Sequence, residues 1–306
     1  MKRMPAIYKN ISCIAAVAAM VLLGASPVGA QVTEKSFEVR FDKPLKAGQT
    51  YTVTTTDAAR ASQTTATPDG QTTTASNFRR TVLEAEVRIE KLDDKSLPAQ
   101  LVIAIKRLTV QSVAAGQEDG ESNPNNILPA GTIVSATFVD GEPTFTLAGG
   151  KPVPADARTA LRREFHRTQL TDAVFGTPEK KKIGDSWPVN TKAMKVDITD
   201  PQALDPRGFS GDVTLKSRRS VTGVDCLQLE AVLRSKEIPS LPIEPAEASV
   251  TVTYNVSLPV DPEKPIVAHT MKTVTHVVIE QKPLGKGVVR TTSDSEMTHD
   301  ATWIAK

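Results

Sequence analysis

The stretch Pro154–Pro188, PADARTALRREFHRTQLTDAVFGTPEKKKIGDSWP, separates two regions that are rich in strand patterns. It contains the one segment with convincing helical spacing, because apolar side chains recur from Ala157 through Leu161 to Phe165. Gly176 is expected to end this helix as a C′ residue. The stretch therefore predicts a helix that covers one face of a sheet, followed by a turn that begins the second strand region.

Strand patterns dominate the region before the helix. Leu83–Ile89 alternates apolar with charged residues, as a strand with one buried and one solvated face does. Pro68-Asp69-Gly70 predicts the tip of a long hairpin, because proline fixes φ and glycine accepts a positive φ. In the next strand, the apolar residues move from odd to even positions at Lys106-Arg107, which predicts a β-bulge. Phe37–Phe41 is predicted as a short first strand.

The region after the helix has the same character. Val250–Leu258 alternates strictly and is the clearest strand pattern of the chain. The fold class is therefore mainly β: curved antiparallel sheet or sheets, of half-barrel type, in two β halves with one central amphipathic helix. We expect an N-terminal β half at 31–153, the helix at 154–178 and a C-terminal β half at 179–306. The pattern leaves open whether the halves form one sheet or two.

The two halves begin with similar octapeptides. Lys46–Val53 and Lys182–Val189 both read basic-x-Gly-polar-polar-aromatic-x-Val. This match fits a duplication and, equally, a chance recurrence of turn residues before strands. In the second octapeptide, Gly184 and Asp185 predict a tight turn, and Trp187 is expected to be buried as a core plug rather than to stack on a ligand.

Residues 1–30 have the pattern of a secretory signal peptide, with a basic start, an apolar run and small residues before Ala30/Gln31. We expect cleavage there and an exported, periplasmic or extracellular protein whose mature chain has no transmembrane segment. The chain has 37 Lys/Arg and 35 Asp/Glu, and removal of the three basic residues of this segment leaves 34 against 35, a net charge of −1. A near-neutral chain argues against nucleic acid as a partner.

Cysteine and histidine offer little chemistry. Cys226 is the one cysteine after residue 30, so no internal disulfide is expected, and its strand parity predicts partial exposure. The four histidines have no metal-binding spacing. In a last hairpin centred on Leu284-Gly285, His269 and His299 would lie on opposite faces of the sheet.

Sequence motifs of nucleophilic catalysis and of phosphate binding are missing. Gly-x-Ser-x-Gly does not occur, and Gly149-Gly150-Lys151 is followed by proline rather than by a capped helix. The loop 116–126 alternates oxygen-bearing side chains as a Ca²⁺ loop does but lacks its strict spacing, so a solvated loop is favoured. We therefore predict a protein that is not an enzyme and that has no cofactor, with an undetected hydrolase as the least favoured alternative.

Basic residues concentrate around the helix. If one face of the protein collects them, that face would bind an anionic partner, whereas separately they would be a solvated surface. The residues are Arg158, Arg162, Arg163, Arg167, Lys180, Lys181 and Lys182.

The turn residues carry a resemblance to known proteins. On Lys182, Gly184, Asp185 and Trp187, and on the order of signal peptide, strands, helix and strands, the chain resembles a group of uncharacterised bacterial exported β proteins. It is also remotely similar to half-barrel lipoprotein carriers, in which a bent sheet wraps helices and holds acyl chains. That resemblance implies a hydrophobic ligand, such as a lipid, or an envelope component in the concavity of a bent sheet.

The chain departs from those carriers in having one predicted helix and few aromatic residues, 4% of the chain. The alternative is therefore a structural or protein-interaction module without a small ligand. Such a module would act through its sheet edges and its long Thr-rich hairpin.

Overall fold

The structure, a computed structural model, describes residues 35–113, 123–139, 141–165, 170–194, 208–236, 244–282 and 287–306. These residues form two α-helices, Ala155–Phe165 (α1) and Asp172–Phe175 (α2), and twelve strands. The strands are Thr50–Ala66 (β1), Thr72–Leu92 (β2), Pro98–Val113 (β3), Asn125–Leu128 (β4), Ile133–Val139 (β5), Glu142–Leu147 (β6), Ser186–Pro188 (β7), Ser210–Val221 (β8), Val224–Ser235 (β9), Glu247–Pro259 (β10), Ala268–Gln281 (β11) and Val289–Ala305 (β12).

All twelve strands belong to one open antiparallel sheet. Its order is β6-β5-β3-β2-β1-β12-β11-β10-β9-β8-β7, with β4 paired to β3. The first and last strands of the sheet in chain order, β1 and β12, pair without a register shift from Tyr51–Ala305 to Ala66–Arg290. The prediction of a mainly β antiparallel protein is confirmed. The question that the sequence left open is answered as well, because the two β halves are continuous in one sheet.

Both hydrophobic cores lie on the same face of this sheet, which we call the inner face. One row of paired residues crosses the centre of the sheet from Thr55 through Ala301, His269 and Val256 to Leu229. Paired residues of an antiparallel sheet lie on one face, so this row joins the two cores. The N-terminal core packs β1–β6 against α1, and the C-terminal core packs β7–β10 against α2 and the segment 37–41.

The long hairpin and the bulge predicted from the sequence are confirmed. β1 and β2 pair as far as Ala66 and Thr72, so the Pro68-Asp69-Gly70 tip joins them. The register between β2 and β3 shifts where Glu84 pairs with Arg107 and the next residue, Ala85, pairs with Ile105. Lys106 is therefore the bulged residue, and the bulge returns the later apolar residues of β3 to the inner face.

Four local predictions are corrected. Phe37–Phe41 is not a strand: only Phe37 forms a β-bridge, to Lys181, because the three apolar side chains of this segment are used to cover the C-terminal core. Asn125 and Asn126, predicted in a loop, begin β4 and pair with β3. Cys226 is fully buried rather than partly exposed, although it keeps the strand parity of Gln228 and Glu230, so parity alone does not report its exposure.

The fourth correction concerns the end of the helical stretch. The described helical residues end at Phe165 and resume in the single turn of α2, which Gly176 follows with an ordinary φ of −74°. A side chain on Gly176 would lie 2.6 Å from the backbone oxygen of Asp172. Glycine is thus required there by close approach and not by the left-handed conformation that a C′ residue adopts.

The two octapeptides form the same hydrogen bonds. The Gly48 N–H donates to the Ile89 carbonyl at 2.7 Å, and the Gly184 N–H donates to the Leu215 carbonyl at 2.7 Å. Both glycines have a positive φ, 83° and 96°, which favours glycine at each position. In both copies the acceptor residue donates its own N–H back to the residue after the glycine.

The aromatic residues of the octapeptides are equivalent too. Tyr51 and Trp187 are both buried on the inner face, each in a strand that pairs with the next strand of the chain. Across the sheet, the order β7 to β12 and then β1 to β6 runs in one direction. Shared hydrogen bonds and a shared direction favour a duplication over a chance recurrence of turn residues.

Candidate functional site

The inner face changes character along the paired strands β1 and β12. Near the base, Tyr51 and Val53 lie in the N-terminal core. Further along, Asp57 pairs with His299, so a carboxylate and an imidazole share the inner face. Beyond them, Ala61 pairs with Ser295 and begins an open groove. A closed core, a charged zone and a groove therefore follow one another on a single face.

The charged zone is a set of four side chains that we call the buried charge cluster: Asp57, Glu164, His269 and His299. His299 Nδ1 lies 2.8 Å from Asp57 Oδ1, and His299 Nε2 lies 3.6 Å from Glu164 Oε2. The imidazole rings of His269 and His299 are 5.3 Å apart. The cluster thus connects α1 to the three strands β1, β12 and β11.

Glu164 is positioned by the helix. It lies in the last turn of α1, on the same face as Ala160 and Leu161, and only 7% of it is exposed. Its Oε1 accepts a hydrogen bond of 3.1 Å from the Trp303 indole N–H, while its Oε2 has no hydrogen-bond partner. Burial of a carboxylate oxygen without a hydrogen bond is costly, so the ionised form of Glu164 is disfavoured.

The pKa values of the cluster follow from these surroundings. Burial raises the pKa of Glu164 to about 8, against the smaller opposing effect of the His299 charge. The pKa of His299 is raised, because its hydrogen bond to Asp57 and the charges of the nearby carboxylates outweigh its burial. Burial lowers the pKa of His269 to about 4. Near pH 7, therefore, Glu164 and His269 are mainly neutral, while the surroundings of His299 favour its protonated form.

The geometry of the cluster does not resemble a hydrolytic site. Both ring nitrogens of His299 face carboxyl groups, so neither is positioned on a hydroxyl or thiol nucleophile. Cys226 is buried elsewhere, and burial raises the pKa of its thiol. In the described part of the chain, no group of three or more His, Cys, Asp or Glu side chains could hold a metal ion.

The groove lies on the inner face beyond the charge cluster. It has a volume of about 340 Å³ and crosses the four adjacent strands β2, β1, β12 and β11. Register places two rows of small or uncharged side chains on its floor, and the nearer row lies about 13 Å along β1 from Asp57. The rows are Asn77, Ala61, Ser295 and Thr275, then Ala75, Gln63, Ser293 and Val277.

The predicted anionic-partner residues are divided between the two parts of the chain that cover the two cores. Arg158 and Arg163 are exposed on α1, above the N-terminal core, and Arg162 pairs with Glu142 at 2.9 Å. The lysines follow α2, beside the C-terminal core: Lys180 and Lys182 are exposed, while Lys181 pairs with Glu179 and lies over the Trp187 ring. Arg167 lies outside the described residues. A single surface for an anionic partner stays a prediction.

The predicted turn residues have structural roles. Asp185 Oδ2 accepts a hydrogen bond of 2.7 Å from the Lys182 N–H, while Gly184 supplies the positive φ described above. Trp187 is 6% exposed and its indole donates to the Phe175 carbonyl at 2.8 Å. The expectation that Trp187 is buried is confirmed. Of the loop 116–126, which the sequence favours as a solvated loop, the first seven residues lie outside the described part of the chain.

No sequence motif identifies the charge cluster, but one feature of the sequence pointed to it. Glu164 interrupts the apolar face of α1, three residues after Leu161. The predicted separation of the two histidines was wrong: His299 pairs with Met271, so His269 lies on the same face, one residue away from the expected register.

The fold thus defines a mainly β protein with one open antiparallel sheet of twelve described strands, and comparison with known proteins adds little to this. No protein-family model matches the chain, and no curated protein matches it either. Among the described helices, none has the length and apolar character needed to cross a membrane.

Three solved structures are weakly similar to the chain. One, "Lipid-protein interactions in lipovitellin", has a TM-score of 0.35 at 10% identity, over 82% of this chain and 25% of the other; the chain thus spans about a quarter of that protein. "Asymmetric conductivity of engineered proteins" has a TM-score of 0.21 at 12% identity, over 81% and 99%. The toluene transporter TodX of P. putida has a TM-score of 0.18 at 8% identity, over 84% and 90%. At such scores these similarities support no inference about function.

Proposed function

We propose that this is a non-enzymatic exported protein that binds a hydrophobic ligand in the groove of its inner face. The observation that carries the proposal is the uncovered end of that face. Both cores are covered by helices or segments of the chain, whereas the groove is lined by residues of four strands alone. A concave surface of small side chains on a rigid sheet is suited to holding an elongated ligand.

The lining of the groove favours an apolar or uncharged ligand. Its inner-face side chains are alanine, valine, serine, threonine, asparagine and glutamine, none of them charged. Asp294 borders the groove but belongs to the other face, where it pairs with His276 at 2.6 Å. Without a cationic side chain on the floor, a ligand gains most from burying apolar surface.

The absence of enzymatic activity is part of the proposal. His299, the most connected imidazole of the inner face, is held between two carboxyl groups. Export is proposed from the signal-peptide pattern of residues 1–30. The named titles of the weakly similar structures include a lipid-binding and a transport protein, and neither adds weight to the proposal.

Titration with the methyl ester of cis-parinaric acid, an uncharged fluorescent fatty-acid derivative, tests the groove directly. We expect saturable binding by the wild-type chain. Ser295→Trp places a large ring on the floor of the groove and should weaken binding at least tenfold. Glu296→Trp, one residue on, places the same ring on the opposite, exposed face and should leave binding unchanged.

Two outcomes would contradict the proposal. One is the absence of saturable binding by the wild-type chain together with no lipid in an organic extract of the protein purified from its exported location. The other is equal loss of binding in both tryptophan variants, since that would place the probe elsewhere on the sheet.

A second candidate function is a protein-interaction module without a small ligand. It is favoured by the outer part of the β1–β2 hairpin, where residues 72–77 are exposed and cross-strand threonine pairs such as Thr64–Thr74 form the surface. Capture of envelope proteins by wild type, compared with a chain in which residues 64–74 are replaced by the two-residue turn Asn-Gly, would support this function if a partner is lost with the hairpin end.

A further inference from the structure

We infer that the buried charge cluster makes the packing of α1 on the inner face depend on protonation. α1 is the helix that covers the N-terminal core, through Ala157, Ala160, Leu161 and Phe165. It cannot pack there without carrying the Glu164 carboxyl into the same apolar layer. This inference goes beyond ligand binding and holds whether or not the groove binds a ligand.

The contacts of Glu164 show why its proton matters. One oxygen accepts the Trp303 indole hydrogen bond, and the other has no hydrogen-bond partner and faces His299 Nε2 at 3.6 Å. Around it lie aromatic rings, with Phe165 and Trp303 6.1 Å apart. A neutral carboxyl fits this environment, whereas a carboxylate lacks the hydrogen bonds that would replace its hydration.

Titratable and charged groups reach the cluster from the strands β1, β11 and β12. A proton on His299 is balanced by the carboxylate of Asp57, 2.8 Å away, so with Glu164 also protonated the cluster has no net charge. Loss of the Glu164 and His299 protons would leave buried carboxylates on either side of a neutral imidazole. The groups near Glu164 and His299 are Asp57 on β1, His269 on β11 and Asp300, which lies on the other face of β12; on β2, Arg79 occupies the inner-face position next to the partner of Asp57.

The sign of the pH effect comes from comparing the packed helix with the released one, in which Glu164 meets water and titrates near its ordinary pKa of 4.5. The contribution of Glu164 to the packing of α1 is therefore complete below pH 4.5 and is progressively lost as the pH rises to about 8. The raised pKa of His299 acts in the same direction above 6.5. The lowered pKa of His269 acts in the opposite direction, since its contribution is lost as pH falls from 6.5 to about 4. Packing of α1 therefore weakens chiefly between pH 6.5 and 8.

Hydrogen exchange measured by mass spectrometry on the whole chain, without ligand, tests this inference. After correction for intrinsic exchange rates, the opening equilibrium of the α1 amides should rise at least thirtyfold between pH 6.5 and 8, because the Glu164 proton alone contributes about tenfold per pH unit and the His299 proton adds to it. Amides of α2 and of the Trp187 turn should keep their protection over the same range.

Matched variants make the test specific. Glu164→Gln keeps the shape of the side chain and removes its proton, so α1 should stay better protected at pH 8 and the slope should fall to the part that His299 contributes. Asp156→Asn changes an exposed carboxylate of the same helix and should behave as wild type. A flat wild-type profile, or the same slope in Glu164→Gln, would overturn the inference.

A second variant covers the case in which Glu164→Gln does not fold. Asp57→Asn removes the carboxylate that holds the proton on His299, so the part of the slope above pH 6.5 that comes from His299 should shrink and the profile should be shallower than in wild type. An unchanged profile in this variant would equally contradict a proton-dependent cluster. Because no ligand is used, failure here leaves the proposed binding function standing, and loss of binding of the fatty-acid derivative leaves this inference standing.

Discussion

The two cores of the inner face are covered in different ways. Over the C-terminal core, the covering segments are tied to one another by hydrogen bonds in which at least one partner is a backbone group. Phe37 and Lys181 exchange two hydrogen bonds of 2.8 Å, the Phe41 N–H donates to the Asp172 carboxylate, and the Trp187 indole donates to the Phe175 carbonyl. Over the N-terminal core, the end of α1 is joined to the sheet through Glu164, whose bond to Trp303 depends on a buried carboxyl group.

Because of this difference, the covering of the N-terminal core should be the one that responds to pH. The Phe37–Lys181 and Trp187–Phe175 hydrogen bonds contain no titratable group, so this part of the covering of the C-terminal core should stay constant across ordinary pH. The contribution of a buried carboxyl with a raised pKa to stability depends on whether the carboxyl is protonated, and so on pH. The inner face thus carries two kinds of covering. We call the covering of the C-terminal core the fixed covering and the covering of the N-terminal core the adjustable covering.

The largest expected effect concerns the fixed covering. Trp187→Ala should reduce the free energy of unfolding by about 3–5 kcal/mol, because it removes a buried indole and leaves a cavity. Urea denaturation at pH 6 and at pH 8 should give the same loss at both values. Trp187→Phe, which refills most of the space, should cost less. A loss below about 1 kcal/mol for the alanine variant would mean that Trp187 is not a core residue and would revive a ligand-stacking role.

The adjustable covering should show a smaller effect of opposite sign. Glu164→Gln should raise the free energy of unfolding by about 1–3 kcal/mol at pH 8 and change it little at pH 5, since the protonated carboxyl and the amide are then equivalent. Urea denaturation across this range measures the difference. Destabilisation at pH 8 would show instead that the Glu164 carboxylate is needed by the folded chain.

The smallest effect tests the likeness of the two halves. Gly48→Ala and Gly184→Ala should each cost about 1–2 kcal/mol from the positive φ alone, since neither new methyl group would contact another atom within 4 Å. Thermal denaturation of both variants should give closely similar shifts. A large difference between them would mean that the two turns are equivalent in geometry but not in their importance to the fold.

Most of the fold was accessible from the sequence because local patterns determine it. The parity flip at Lys106 predicted the bulge, and Pro68-Asp69-Gly70 predicted the hairpin tip. Phe37–Phe41 shows the limit of such patterns. Its strict alternation is the same whether the segment pairs with a strand or only lays its apolar side on a core, and the choice is made by distant residues.

The candidate site was less accessible because it depends on register across long distances in the chain. Asp57 and His299 are 242 positions apart and meet only because β12 pairs with β1. A one-residue slip in the last hairpin moved His299 to the other face in the sequence-based prediction. Glu164 could not be assigned to the core from the sequence, since charge alone does not reveal burial.

The two indole N–H groups of the chain test the comparison most directly, because Trp187 lies in the fixed covering and Trp303 contacts Glu164. Their resonances can be followed in one series of ¹H–¹⁵N NMR spectra between pH 5 and 9. We expect the Trp303 resonance to shift with a midpoint near pH 8 while the Trp187 resonance stays in place, and Glu164→Gln should abolish the shift. A Trp303 resonance that is constant, or that titrates near pH 4.5, would contradict a buried and protonated Glu164.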